Sequence, residues 1–169
     1  MDDKNIYEKA YYYEIDRIDK IQSRMSVPVS ILILISGAIA SMMPDYFRLK
    51  DKRLSGIVDV LFILLILIFI ISIIFTCKFY WPKKFGYIPS WGEIDKYKFQ
   101  LNKRYNNNKK IVEAKVEEYY IEILKTASDI NFGINDERMK NVLYVYIFIC
   151  MQLPLLLVIY CVITYIKTL

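Results

Sequence analysis

Three uninterrupted apolar runs govern what this chain can fold into. Residues 27–43, 57–77 and 142–166 are almost wholly hydrophobic, and the last carries no ionisable group. A helix rises 1.5 Å per residue and needs roughly 20 apolar residues, with about 17 as the lower limit, to cross a bilayer core. The runs are 17, 21 and 25 residues long, and only Asp59, near the start of the second, brings a charge. In hydrocarbon every backbone amide must be satisfied within its own segment, so the runs predict three transmembrane helices. The expected fold is all-α, an integral membrane bundle with an N-terminal amphipathic helix and a cytoplasmic helical segment.

Orientation follows from the basic residues. Segment 1–26 holds Lys4, Lys9, Arg17, Lys20 and Arg24, and segment 78–140 holds thirteen Lys and Arg. The 44–56 connection has Arg48, Lys50, Lys52 and Arg53, and the tail has Lys167. With three spans the split is 18 against 5, which places the N-terminus and the long loop on the cytoplasmic side of the inner membrane. The organisation read from the chain is a cytoplasmic amphipathic helix over 1–26, a two-span hairpin over 27–81, a basic and helical segment over 82–140, and a third span over 141–169.

Local patterns refine this outline. Tyr7, Tyr11, Ile18, Ile21 and Met25 recur at helical spacing and predict an amphipathic helix interrupted near Pro28, where Val27 is biased away from helix. Pro82, Gly86, Pro89 and Gly92 predict an irregular or short-helical stretch over 82–101 near the headgroups. Asn106, Asn107 and Asn108 offer N-caps to a helix reaching about Ser128, with Val112, Val116, Tyr119, Tyr120, Ile123 and Ala127 on its apolar face. NFGIN at 131–135 is expected to break it, Asn135 or Asp136 to cap the third span, and Pro154 to kink that span.

Enzymatic chemistry finds no support in these residues. No Gly-rich phosphate loop, nucleophile elbow or metal-spaced carboxylate cluster occurs, and the chain lacks histidine. Cys77, Cys150 and Cys161 lack zinc-site spacing, so neither metal nor cofactor is expected. The spans hold no paired acids or Ser/His arrangement of an intramembrane protease. Glu113, Glu117 and Glu118 read as a solvated helix face.

Charge patterning says more. Residues 78–115 carry ten basic and three acidic side chains, whereas 116–137 carry six acids and Lys125 alone. Aromatic residues interleave the basic part. Cations for phosphate beside flat rings for stacking suit a nucleotide or oligonucleotide, which makes Lys96, Tyr97, Lys98, Lys103, Arg104, Tyr105, Lys109 and Lys110 the candidate ligand-binding residues. A membrane-interface belt has the same composition over 78–91. In the first span, Ser36 and Ala40, and Gly37 and Ser41, are four apart, the pattern that lets membrane helices approach closely. That face would serve packing against the second span as well as self-association. Gln152 sits deep in the third span beside Pro154 and must find partners on another helix or in a water-filled path.

The layout EKAYYYEIDRIDKIQSRM, leading through a proline into VSILILISGAIASM, resembles SLATT domains. So do the close second span and the helix ending in KTASDINFGINDERMKN. These are two-transmembrane effectors of prokaryotic nucleotide-signalling antiphage systems, and the third span goes beyond their two-span pattern. The resemblance, over about residues 5–140, implies a pore-forming effector controlled by a nucleotide or oligonucleotide from a partner nucleotidyltransferase encoded nearby. Three spans enclose a hydrated pore poorly, so a channel would be a homo-oligomer, with a tetramer among its forms. The rival reading is a non-conducting anchor recruiting a soluble partner; a holin-like protein ranks third.

Overall fold

The structure, a computed structural model, describes residues 3–48 and 55–168. Among these residues four helices follow in order: α1 (Asp3–Arg48), α2 (Ser55–Tyr80), α3 (Trp91–Arg104) and α4 (Lys109–Thr168). No strand occurs among the described residues. α1, α2 and α4 are each long and apolar enough to cross a membrane. Lys50, Lys52 and Arg53, the bulk of the basic charge expected in the first connection, lie outside the described residues.

Two compact units form. One joins the chain up to Lys20 with Pro82–Glu137; the other joins Ile21–Trp81 with Arg138–Leu169. The N-terminal helix and the 82–140 stretch, separate in sequence, therefore largely share one unit.

A 3.5-residue period underlies both long helices. In α1 the buried and half-buried positions Tyr7, Tyr11, Glu14, Ile18, Ile21, Met25, Pro28, Leu32, Ile35, Ile39, Met42 and Tyr46 alternate steps of four and three. In α4 the same alternation runs from Leu124 through Ser128, Asn131, Asn135, Arg138, Val142, Val145, Ile149, Gln152, Leu156, Ile159 and Ile163 to Ile166. A seam that holds one face inward over so many turns is the coiled-coil pattern, and it explains why polar residues at inward positions are buried.

Two expected breaks do not occur. α1 runs through Pro28 without interruption. Proline removes the amide that would pair with the Arg24 carbonyl. That carbonyl instead lies 3.5 Å from the Tyr146 hydroxyl, a long contact in donor position, and Pro28 itself is buried. α4 likewise continues through NFGIN, so neither Asn135 nor Asp136 caps anything. The inward register puts Asn131 and Asn135 into tertiary contacts, which outweigh the roughly 0.5–1 kcal/mol penalties of Asn and Gly in a helix. Pro154 also lies within α4.

Residues 82–90 are non-helical, as the Pro and Gly content predicts, but helix resumes at Trp91. α3 obeys the dipole rule, with Glu93 in its first turn and Lys103 and Arg104 in its last. Asn106 and Asn107 take left-handed φ values of 49° and 58° after α3, a conformation Asn tolerates, and the Asn108 side chain accepts from the Ile111 amide at 3.4 Å to start α4.

In the unit holding Ile21–Trp81, α1, α2 and α4 share a core that includes Ile21, Met25, Ile39, Val58, Leu65, Val145, Ile149 and Ile159. The isolated charge of Asp59 accepts from the Tyr46 hydroxyl at 2.6 Å, and the Tyr46 ring stacks on Phe62 at 4.6 Å. The other unit is built on Tyr11, Leu124 and Ala127, with Tyr7, Ile15, Ile88 and Tyr120 against them.

Candidate functional site

α3 distributes the expected ligand-binding residues over separate faces. Its inward side carries Ile94, Tyr97 and Leu101. Tyr97 is half-buried against Tyr119, with ring centres 4.2 Å apart, so its ring is already engaged. Lys96 and Lys103 lie one heptad apart on the outward side. With Gly92, Asp95, Phe99 and Gln100 they line a shallow groove of about 530 Å³, where the Lys103 ammonium stands 4.6 Å from the centre of the Phe99 ring.

Lys98 points elsewhere. It borders a second cleft, of about 380 Å³, with Lys4 and Glu8 of α1, Trp91 and Ile94 of α3, and Glu113, Val116, Glu117 and Tyr120 of α4. The remaining expected residues stand apart from both hollows. Arg104 lies 5.9 Å from the Tyr105 ring, Lys109 reaches Glu113 at 3.9 Å, and Lys110 is exposed on the first turn of α4. That turn has two lysines and no acid, so helix dipole and side chains build positive charge together. The eight residues thus form one basic region but not one pocket.

The cleft around Lys98 uses residues that sequence reasoning assigned to solvent or to a core. Glu113, Glu117 and Tyr120 fall at helical spacing along one side of α4, as Lys4 and Glu8 do on α1 and Trp91, Ile94 and Lys98 do on α3. The Lys4 ammonium is 5.7 Å from the centre of the Tyr120 ring. Burial, followed by the nearby Glu8 carboxylate, raises the Tyr120 phenol above its ordinary pKa. Only the convergence of three helices reveals this group, because no short motif contains it.

Asn131 and Asn135 have a different role from the turn residues they resemble. The Asn131 amide accepts from the Gly86 N–H at 2.8 Å and donates to the Gly86 carbonyl at 3.0 Å, tying the 82–90 segment to α4. Gly86 is required there, since a Cβ would meet the Ala127 Cα at 2.6 Å. Asn135 donates to the Glu14 backbone carbonyl at 2.8 Å and to its carboxylate at 2.9 Å. Arg17 supports the same carboxylate at 3.4 Å. The 3.5-residue register, extended through NFGIN, is the signal that would have placed both amides inside.

Ser36, Gly37, Ala40 and Ser41 all lie on the exposed side of α1, whereas Leu32, Ile35, Ile39 and Met42 face the core. The Ser36 and Ser41 hydroxyls donate to carbonyls of their own helix, and a Cβ added to Gly37 would meet nothing within 4 Å. Packing among the described residues leaves this small-residue face open. Gln152 is fully buried and donates to the Ser72 hydroxyl at 2.6 Å, and Ser72 donates onward to the Ile68 carbonyl at 3.0 Å.

No protein-family model, curated protein or solved structure matches the chain.

Proposed function

We propose that the chain is a homo-oligomeric membrane channel or pore-forming effector, opened or closed by a nucleotide or oligonucleotide and acting in antiphage defence. Three helices long and apolar enough to span a bilayer support membrane residence, with the N-terminus and residues 82–140 in the cytoplasm by the distribution of basic residues. The nucleotide, the partner nucleotidyltransferase and the defensive role rest on the resemblance to SLATT domains.

One observation supports assembly from several copies. The α1–α2–α4 core is filled with Ile, Leu, Val, Met and Phe side chains, and the Gln152 amide N–H donates to Ser72, so a hydrated path requires more than one copy. The open Ser36, Gly37, Ala40 and Ser41 face is where helices of neighbouring copies would approach most closely. Exposed basic residues from Lys96 to Lys110 would hold the anionic signal near the cytoplasmic unit.

The test is ion flux in liposomes reconstituted with the purified full chain, with and without added nucleotides. Conductance that responds to a nucleotide supports the proposal. A tight complex with a soluble partner and no flux under any condition would instead establish the anchor reading.

A further inference from the structure

The cleft bordered by Lys98 has a lining that restricts its occupant. A pure anion would meet the carboxylates of Glu8, Glu113 and Glu117, and a pure cation would meet the ammonium groups of Lys4 and Lys98. The occupant must offer both N–H donors and negative charge. Trp91, 79% exposed at the start of α3, and Tyr120 add flat surfaces for a ring. The volume of about 380 Å³ lies within the range of small-ligand sites.

The polar groups are not equally available. Glu113 is drawn toward Lys109, and Glu8 stands beside the Tyr120 phenol. Glu117 and Lys98 have no ion-pair or hydrogen-bond partner among the described residues. A carboxylate only accepts, so Glu117 selects a base edge that only donates. Guanine presents N1–H and the 2-amino group side by side, matching both carboxylate oxygens. Adenine puts an acceptor at N1, and uracil flanks its single N–H with two carbonyls.

We propose that this cleft binds a guanine nucleotide, with the base against Trp91 and its donor edge on Glu117, and the phosphate on Lys98. The inference rests on the nucleotide-responsive reading above and names the base, which that reading leaves open.

Trp81 and Trp91 are the two tryptophans of the chain, so Trp81→Phe leaves Trp91 as the reporter. The full-length variant in detergent micelles is titrated with GMP, IMP, AMP and UMP while Trp91 fluorescence is followed, and calorimetry measures total binding. Saturable quenching by GMP is expected, about tenfold weaker for IMP, which lacks the 2-amino group. Glu117→Gln should bring GMP and IMP to similar affinity. Lys98→Ala should make GMP bind no better than guanosine, with helical circular dichroism unchanged in both variants. Equal affinity for GMP, IMP and AMP, or tighter binding of L-tryptophan than of GMP, overturns the assignment. Calorimetric GMP binding without Trp91 quenching, insensitive to Glu117→Gln, also overturns it and leaves nucleotide control standing. GMP quenching without any nucleotide-dependent flux upholds the cleft and sinks the gating.

Discussion

Gln152 and Ser72 form a polar bridge inside an apolar three-helix core, with Gln152 Nε2 2.6 Å from Ser72 Oγ. The bridge is half complete, because the buried Gln152 Oε1 has no hydrogen-bond partner among the described residues. An unsatisfied buried acceptor costs about 1–3 kcal/mol, so Gln152→Leu should leave the chain as stable or raise its unfolding midpoint in detergent. Ser72→Ala strands the amide donor as well and should destabilise by about 1 kcal/mol. Because Gln152 faces its own chain's core, Gln152→Leu should leave ion selectivity unchanged; altered selectivity in liposome recordings would move this residue to the pore wall.

Two glycines should respond oppositely to the same change. Gly86→Ala drives a methyl group into the Ala127 backbone and disturbs the paired hydrogen bonds to Asn131, at a cost of about 1–3 kcal/mol. Gly133 lies inside α4 with nothing within 4 Å of an added Cβ, so Gly133→Ala should stabilise by about 0.5–1 kcal/mol. Thermal melts followed by circular dichroism compare the two directly.

Glu14 is buried, and Asn135 supplies a donor to its carboxylate. Asn135→Leu removes that donor while the charge stays inside, which should cost about 2–3 kcal/mol. Combining it with Glu14→Leu should recover part of the loss. A double-mutant cycle on denaturation midpoints measures the coupling, and strictly additive effects would show that the two side chains do not act together.

Gly37 separates folding from self-association. The lone chain has space at this position, so Gly37→Ile should preserve helicity and thermal stability. Under the proposed assembly it should shift the chain toward lower oligomers in analytical ultracentrifugation and abolish flux. An unchanged oligomer with Ile at 37 would exclude this face from the contact.

Much of the helical content was legible from pattern. The three apolar runs and the stripe from Tyr7 to Met25 appear as read, and so do the apolar face from Val112 to Ala127 and the start of α4 after Asn108. The errors came from residues whose local preferences mislead. Pro28 and NFGIN read as breaks because proline lacks an amide and Asn and Gly favour turns. In the fold, Asn131 and Asn135 spend their side chains on Gly86 and Glu14, and local preferences of this size yield to burial along the seam. The basic residues from Lys96 to Lys110 were identifiable as charge. Their division among faces was not, since neighbours such as Lys96 and Lys98 sit about 200° apart around a helix.

The sequence by itself determined that the chain is helical and which three segments could cross a bilayer, because run length and hydrogen-bonding need act locally. Tertiary structure decided the rest: that α1 and α4 run unbroken, that the small-residue face stays open, that Gln152 turns to Ser72, and that Trp91, Lys98 and Glu117 border one cleft. Those outcomes depend on which side of each helix faces another. That is fixed only when distant segments compete to bury the same surface.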